Sequence, residues 1–376
     1  MVTITIIGWY GTETIGDRAI LAGLIRVFSE IYNEYTINLG SIIPHFTERI
    51  LIEDNDFYLE ISAGKLQRIK IFDSMNSSHL KSNIKQSDIL AIGGGPLMDL
   101  QCMYMLEYAF KYAKKHNIKT CILGCGWGPL KINKYIKTAI NIIKNADLVI
   151  FRDSDSASTY TKYGTREDIH SLIDPAFFTA KYFIDKYPCS NISNYIAINF
   201  RDLFIDNQYD SSSFKISRLS DIIKQIVNKY PDKQIKLIPM HTFNVGGDDR
   251  IILEKVRNNI NSKQVSVCHE PLSLKKTMEI YRDAQLCVGM RFHSIVLQTI
   301  VNGYNYILDY TDPSKGKIIG MLRQLGLEEQ FKNRYTTISK VEQFIVTTDI
   351  SKININQEQL AKYFNSYTQL IKNILS

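Results

Sequence analysis

The sequence of 376 residues contains no apolar run as long as the roughly 18 residues that a membrane-spanning helix requires. Its start, MVTITIIGWYG, has neither a basic region nor a small-residue cleavage site, and it predicts a β-strand rather than a signal peptide. We therefore expect a cytoplasmic protein.

Cysteines are few and scattered: there are six, and only Cys121 and Cys125 lie close together. No second pair of ligands and no histidine cluster completes a zinc pattern in the sequence. Several cysteines stand in apolar stretches such as CILGCGWG, where a free cysteine behaves as a small buried hydrophobic residue. These features predict a reduced, metal-free protein in which Cys125, with no base near it in the sequence, is not a nucleophile.

Charge of one sign is only in small excess, since 45 Lys and Arg against 38 Asp and Glu give a net charge of +7. The surplus is scattered among acids, so it suits anionic small ligands or a polar membrane face, and nothing in it indicates nucleic acid. A hydrophobic share of 45% and a charged share of 22% exclude a wholly disordered chain.

What the chain does contain is a repeated order of β-branched run, glycine-containing loop and helix-period stretch. This alternation predicts α/β structure with parallel sheets. Strands are predicted at 2–8, 87–92, 119–123 and 148–151, and after a looser stretch at 195–200, 235–239, 265–268, 285–289 and 304–308. We expect two doubly wound Rossmann-like domains facing a cleft, at 1–185 and 190–345, followed by a helix within 355–376.

Ligands of such sheets bind beyond the carboxyl ends of the strands, so the loops there are the candidate sites. The first loop, GWYGTETIGD, offers Gly11, Thr14, Gly16 and Asp17. Asp17 either caps the following helix or is a cleft carboxylate able to accept a proton from a sugar hydroxyl. The glycine spacing is not the dinucleotide fingerprint, so NAD binding is not predicted.

The later loops of the first half carry further candidates. Gly94 and Gly95 could form an anion-binding nest or bring a helix close to the sheet. Trp127 could stack on a sugar or pack in the core, and Arg152 could be a ligand cation or half of a structural ion pair. Asp99 ends the GGGPLMD loop.

The second half supplies the cations. Arg201, His241, Arg291 and His293 each follow a predicted strand, and Gly289 precedes the last pair. Arg291 and His293 together offer fork donors, an imidazole and free backbone N–H groups at a helix start. This pattern predicts an anion-binding and catalytic site at that edge of the sheet.

Taken in order, these loops resemble the polysaccharide pyruvyl transferase family. The matching positions are Gly8, Gly11, Gly16, Asp17 and Ile20, then 93–95, Leu97 and Asp99, then Arg152, Asp153 and Ser156, then 174–177, then 289–291 and His293, and finally Tyr310, Asp312, Pro313 and Lys315. The sequence departs from the family at Thr14, where the family has Asn, and at Pro96, where it has Ser.

The resemblance implies a GT-B-like pair of Rossmann-like domains whose C-terminal helix crosses back to the N-terminal one. It implies transfer of pyruvate from phosphoenolpyruvate to two hydroxyls of one sugar as a ketal, in surface polysaccharide biosynthesis and without a cofactor. Arg201, His241, Gly289, Arg291 and His293 would then serve the donor, with His293 as the acid and Arg291 also catalytic. Asp17 would be the base on the acceptor side, together with the other first-half candidates Gly11, Thr14, Gly16, Gly94, Gly95, Asp99, Trp127 and Arg152.

The partners stay open at this point. The acceptor is a sugar or a lipid-linked oligosaccharide. The predicted helix after the GCGWGP loop carries lysines that either contact anionic lipid at the inner face of the membrane or form a solvated helix face: Lys131, Lys134, Lys137 and Lys144. The sequence leaves the oligomeric state undetermined. Two other functions remain as alternatives: a GT-B glycosyltransferase with a nucleotide-sugar donor, and a non-catalytic glycan-binding scaffold suggested by Thr14 and Pro96.

Overall fold

The structure, a computed structural model, describes residues 1–189, 191–202, 212–243, 247–344, 346 and 350–374, without the side chains of 212–215. The chain divides into two compact units. Unit one comprises Met1–Glu13, Asp17–Thr179 and Asn356–Ser376, and unit two comprises Thr14–Gly16 and Ala180–Ile355. The main division therefore lies inside a helix, a few residues before the boundary expected after residue 185.

Unit one is built on a parallel sheet flanked by helices. Its strands are β1 (Val2–Ile7), β2 (Tyr35–Ser41), β3 (Leu66–Asp73), β4 (Ile89–Gly93), β5 (Pro96–Leu97), β6 (Lys119–Trp127), β7 (Leu148–Phe151) and β8 (Ile169–Ser171). Its helices are α1 (Ile15–Ile31), α2 (Pro44–Ile61), α3 (Ser77–Lys85), α4 (Met103–Lys115), α5 (Asn133–Lys144), α6 (Ser154–Tyr160) and the start of α7 (Ala176–Lys186).

The strand order of unit one is β3-β2-β1-β4-β6-β7-β8, with β5 paired to β6. Strands β4 and β7 are apolar along their length and fully buried, as expected of strands covered by helices on both faces. The strand order reverses between β1 and β4, and in such a sheet this is the point where ligands bind. The loop between β1 and α1, which leads to Asp17, and the glycines at the end of β4 therefore lie at that point.

Unit two repeats the arrangement in the Rossmann order, β11-β10-β9-β12-β13-β14, and its strands pair in parallel. The strands are β9 (Tyr195–Ile198), β10 (Gln234–Leu237), β11 (Val265–Val267), β12 (Leu286–Gly289), β13 (Asn305–Asp309) and β14 (Tyr335–Thr337). The helices are α8 (Ser212–Lys229), α9 (Asp249–Ile260), α10 (Leu274–Asp283), α11 (Phe292–Val301), α12 (Lys317–Leu325) and α13 (Glu328–Phe331), followed by a 3₁₀ helix at Ile338–Gln343.

The last helix, α14 (Gln357–Asn373), belongs to unit one. Its Tyr367 hydroxyl donates to the carbonyl of Ile173 over 2.7 Å, and Phe178 meets the rings of Phe364 and Tyr367 edge to face. Burial of this aromatic stripe holds the C-terminal helix on the N-terminal unit. None of the helices in the described part of the chain has the length and apolar character needed to cross a membrane.

The structure corrects the sequence-based element assignment at several places in unit one, β8 and α7 among them. The stretch 35–85, to which no element was assigned, forms β2, α2, β3 and α3. The GCGW stretch, interpreted as a loop after a strand ending at residue 123, continues β6, because Gly126 and Trp127 pair with β5 and Cys125 pairs with Phe151 of β7. In unit two, α12, α13 and β14 were also missed.

Candidate active site

Two cationic side chains of unit two meet on the ring of Tyr310, which follows β13. The guanidinium carbon of Arg201, in the segment after β9, lies 4.4 Å from the ring centroid, and the Lys317 Nζ lies 5.2 Å from it. Lys317 is the first residue of α12, so its side chain lies beside a helix start, where backbone N–H groups have no acceptor within the helix. The arrangement brings two cations and a helix N-terminus together at the carboxyl edge of the sheet.

The ionisation of Tyr310 reports the positive potential at this place. Burial alone would raise the pKa of its hydroxyl, but Lys317, Arg201 and Arg291 outweigh burial and lower the pKa to about 8. A group that favours the anionic form of a phenol also favours a bound carboxylate or phosphate. We therefore place the candidate anion site at Arg201, Tyr310 and Lys317.

Arg291 is held by a carboxylate that the sequence analysis did not select. Its Nε and Nη2 donate to Asp249 over 2.6–3.0 Å, and Asp249 is almost completely buried. The same carboxylate accepts from the backbone N–H groups of Met240 and His241 at 3.0 and 3.1 Å. Asp249 thus ties the residues after β10 to Arg291, and Nη1 of Arg291 takes no part in the pairing.

The segment Thr14–Gly16 groups with unit two because it pairs with the residues after β10. Thr14 forms an antiparallel bridge with His241, and the N–H of Ile15 donates to the carbonyl of Met240 over 3.0 Å. The backbone of Gly16 lies against His293, since a Cβ at this position would be 2.0 Å from Nδ1 of the imidazole. Only glycine fits there without displacing the His293 ring.

Thr14, which stands where the family that the sequence resembles has Asn, makes a local hydrogen bond of the kind an Asn side chain makes. Its hydroxyl accepts from the N–H of Gly16 over 3.2 Å. The departure from the family pattern therefore leaves this turn closed by a side-chain oxygen.

Asp17 does not cap α1, because the helix begins at Ile15 and Asp17 is its third residue. The capping alternative is therefore wrong. Burial and the neighbouring Asp174 raise the pKa of Asp17 to about 7, although the Thr12 hydroxyl, 3.4 Å away, opposes the shift. A carboxyl with this pKa exchanges protons readily near neutral pH.

The loop that leads to Asp17 is anchored on both sides by ion pairs with α2. Arg18 pairs with Asp54 and with Glu53 over 2.5 and 2.9 Å, and Arg49 links Glu53 to Glu13. Glu13 and Asp54 are buried, so these pairs are shielded from water. The network fixes the residues that flank the Asp17 carboxylate.

Arg152 lies near two carboxylates, as expected if it forms a structural ion pair rather than binding a ligand. The side chain is buried, with Nη1 3.5 Å from Asp174 and Nε 3.7 Å from Asp153. Gly126 leaves room for it, since a Cβ there would be 2.6 Å from the guanidinium.

The neighbouring thiol of Cys125 is fully buried, and burial raises its pKa to about 12, which agrees with the expectation that it is not a nucleophile.

The remaining first-half candidates have partners inside unit one. Trp127 meets Tyr160 edge to face at 5.4 Å and stacks on Tyr163 at 5.9 Å. The Asp99 carboxylate accepts from the N–H groups of Lys131 and Ile132 at 2.7 and 3.3 Å. These contacts give both residues a packing or loop-closing role.

The predicted glycines are explained by close approach. Gly94 and Gly95 both have φ of +71°, and a Cβ on them would lie 2.4 Å from Ile20 and 2.5 Å from Trp9. Other predicted glycines are crowded in the same way: a Cβ on Gly11 would meet Ser41 and Ile43, and one on Gly289 would meet Ile295 and Gln298. These positions bring helix, loop and sheet together, and their contacts offer no separate sign of a ligand.

Three further residues contribute to the candidate site: Lys317, Asp249 and Asp174. Only Asp174 was recognisable from the sequence, as part of a family motif without an assigned role. The family lysine was matched to Lys315, but the Lys315 side chain is 77% exposed and pairs loosely with Asp312 at 4.0 Å. Two residues on, Lys317 reaches Tyr310. The start of a helix after the Asp-Pro dipeptide was the signal that could have identified it.

Comparison with known proteins identifies the family and the fold. A family model described as polysaccharide pyruvyl transferase matches residues 15–310. No curated protein sequence matches the chain.

Solved structures share the fold at low sequence identity. A structure from Listeria monocytogenes described as a putative UDP-N-acetylglucosamine 2-epimerase is 15% identical, with a TM-score of 0.59 over 100% of this chain and 97% of that one. The UDP-GlcNAc 2-epimerase of Methanocaldococcus jannaschii, in complex with UDP-GlcNAc and UDP, is 12% identical, with a TM-score of 0.55 over 100% and 99%. Staphylococcus aureus MnaA with UDP is 13% identical, with a TM-score of 0.54 over 99% and 88%.

At these identities the structural likeness carries the fold alone, which is GT-B-like with two parallel sheets. The family match spans well over half of the sequence and includes the positions of Asp17, Arg291 and His293. The chain therefore belongs to the polysaccharide pyruvyl transferase family, and so to the transferases that act on polysaccharides.

Proposed function

We propose that this protein transfers pyruvate from phosphoenolpyruvate to two hydroxyls of one sugar, forming a ketal and releasing inorganic phosphate. The observation that carries the proposal is the meeting of Arg201 and Lys317 on Tyr310, beside a helix start. A donor with a phosphate and a carboxylate needs such a site. No cofactor takes part in the proposed reaction.

The donor is held by residues of unit two. Arg201 and Lys317 bind an anionic group next to Tyr310, and Arg291 offers Nη1 to the donor while Asp249 orients the rest of its guanidinium. Pairing with Asp249 offsets most of the Arg291 charge, so we assign the main electrostatic role to Arg201 and Lys317. The backbone N–H of His241 donates to the Asp249 carboxylate that holds Arg291, so His241 lies beside this part of the donor site.

The first step is proton transfer from His293 to the methylene carbon of phosphoenolpyruvate. The electron pair of the C=C bond forms the new C–H bond and leaves an oxocarbenium-like centre at the adjacent carbon. A sugar hydroxyl attacks this carbon, and Asp17 takes the hydroxyl proton, a role suited to a carboxylate with a pKa of about 7.

In the second step, the neighbouring hydroxyl forms the second C–O bond and phosphate leaves with the electron pair of its own C–O bond. The proton of this hydroxyl passes to the departing phosphate, and the proton on Asp17 returns through solvent to His293. The balance is one phosphoenolpyruvate and one diol in, one ketal and one inorganic phosphate out.

The alternative is transfer from a nucleotide sugar, because two of the solved structures named above are described as complexes with UDP or UDP-GlcNAc. A ligand that binds only the folded protein stabilises it by RT ln(1 + [L]/Kd). We therefore expect phosphoenolpyruvate to raise the melting temperature and nucleotide sugars to leave it unchanged. The opposite pattern would favour glycosyl transfer.

A matched pair of lysine variants tests the donor site. Lys317→Ala removes a hydrogen bond to a charged group, worth about 1.5–3 kcal/mol, and should weaken phosphoenolpyruvate binding roughly 10- to 100-fold. Lys315→Ala removes an exposed lysine two residues away and should leave binding unchanged. His293→Ala should lower phosphate release with an acceptor by about 100-fold or more. Equal binding by the two lysine variants, or normal turnover without His293, contradicts the proposal.

A further inference from the structure

Large apolar side chains are exposed together on one face of unit one. Leu100, Tyr104, Tyr108 and Ile132 are 36%, 44%, 39% and 47% exposed. We call these four residues the α4–α5 patch. Single exposed apolar residues are ordinary on a protein surface, but an exposed group marks an interaction site.

Backbone contacts and one ring contact bring the chain segments that carry the patch together. Asp99 accepts from the N–H groups of Lys131 and Ile132, which places Leu100 next to the chain segment of Ile132. Tyr104 and Tyr108 are one turn apart on α4, so they share one face of the helix. The Tyr104 ring lies 5.8 Å from that of Tyr135 on α5, and this contact joins the two helices.

Lysines border the patch. Lys81 of α3 places its Nζ 5.7 Å from the centroid of the Tyr108 ring, and Lys134 lies over Tyr135 at 4.7 Å. Lys131 and Lys134 are exposed. Exposed tyrosine and aliphatic side chains of this face are therefore accompanied by lysines on α3, on α5 and in the segment before α5.

The acidic groups near the patch are already engaged. The Asp99 carboxylate accepts the two backbone N–H groups named above. Glu107 is 13% exposed in its side chain and accepts from Lys111 and from Asn141. Lys111 balances the charge of Glu107, and the single carboxylate of Asp99 stands against Lys81, Lys131 and Lys134, so the net charge of these side chains is positive.

We propose that the α4–α5 patch docks the protein on an anionic lipid surface. Lys81, Lys131 and Lys134 would lie at the level of the headgroups, and Leu100 and Ile132 would enter the boundary of the acyl region. Tyrosine, with an apolar ring and a polar hydroxyl, is the residue type that membrane interfaces favour. The inference does not depend on the pyruvyl transfer, since the patch contains none of the residues assigned to that chemistry.

The composition favours lipid over a second copy of the chain. A specific protein interface buries about 800 Å² on each partner, and its core is depleted of lysine. The α4–α5 patch is small and bordered by lysines, so it is complementary to a layer of negative headgroups.

Vesicle sedimentation of the full chain tests the inference. We expect binding to vesicles that mix phosphatidylcholine with phosphatidylglycerol and much weaker binding to phosphatidylcholine alone. Each lysine near an anionic surface contributes about fivefold to partitioning, so replacing all three with glutamate should reduce binding by on the order of 100-fold. The patch variant combines Lys81→Glu, Lys131→Glu and Lys134→Glu. The matched control combines Lys224→Glu, Lys255→Glu and Lys332→Glu, three exposed lysines of unit two, and should keep binding within about threefold of the unaltered chain.

A second variant separates the apolar contribution from charge. Leu100→Ser with Ile132→Ser keeps every lysine and should also lower binding to the mixed vesicles, with the melting temperature confirming that the variant folds. Absence of vesicle binding by the unaltered chain, or equal loss in the two lysine triples, overturns the inference. So does a change from dimer to monomer in the patch variants without any change in vesicle binding, which would identify the occupant as a second copy of the chain.

Discussion

Replacing Asp17 with asparagine should make the folded protein more stable at neutral pH and nearly inactive. Burial and Asp174 raise the pKa of Asp17 from an ordinary value of 3.8 to about 7. A carboxyl with a higher pKa in the folded state binds more protons there than in the unfolded chain. The free energy of unfolding therefore falls as the pH rises through this interval.

The size of the effect follows from the shift. A difference of about three pKa units, at 1.36 kcal/mol each, makes ionised Asp17 destabilising by about 4 kcal/mol at pH 8 and by well under 1 kcal/mol at pH 4. The asparagine side chain cannot ionise, so Asp17→Asn should gain stability over the unaltered protein between these two pH values. If Asp17 is the base, turnover falls at least about 100-fold in the same variant.

Urea unfolding at pH 4, 6 and 8, with turnover measured on the same samples, checks this prediction. The control is Asp155→Asn, which removes a carboxylate from the first turn of α6. The reasoning is refuted if Asp17→Asn shows the same pH dependence of stability as the unaltered chain. Retained turnover would remove the base role and leave the pKa argument intact.

Three further predictions concern the other site residues. Asp249→Asn should lower the free energy of unfolding by about 3 kcal/mol, because it leaves the Arg291 guanidinium without its charged partner. The same variant should raise the KM for phosphoenolpyruvate, and an unchanged KM would show that Arg291 is not oriented by Asp249. The Tyr310 hydroxyl should titrate near pH 8, measured as the difference in ultraviolet absorbance between the unaltered protein and Tyr310→Phe. Added phosphoenolpyruvate should move the midpoint of this titration upward, because its negative charge offsets the cations, and Lys317→Ala should make that shift smaller. Trp127→Ala should cost about 3 kcal/mol of stability with no change in the KM for the acceptor, since its ring packs on tyrosines, and a raised KM would restore the sugar-stacking interpretation.

The fold was predictable because apolar runs separated by glycine loops and helical stretches can be satisfied by few architectures. The strand 148–151 was predicted to the residue, and the helix-covered parallel sheets followed from the alternation. The strand Tyr35–Ser41 was missed although its apolar residues alternate with Thr36 and Asn38, a pattern that predicts a strand with one polar face. In the structure both polar side chains are buried as well, because the strand lies between β1 and β3. Burial of polar residues is a tertiary property, and a periodic pattern does not contain it.

The order of residues along this chain determined the two doubly wound halves, and with them the positions where Arg201, Arg291 and His293 follow their strands. Tertiary structure alone decided the use of each charge: it joined Arg291 to Asp249, brought Lys317 rather than Lys315 to Tyr310, and buried Asp17 near Asp174. The reason is physical. Strand periodicity depends on neighbours along the chain, whereas the charge state and partner of a side chain depend on residues that only packing brings within a few ångströms.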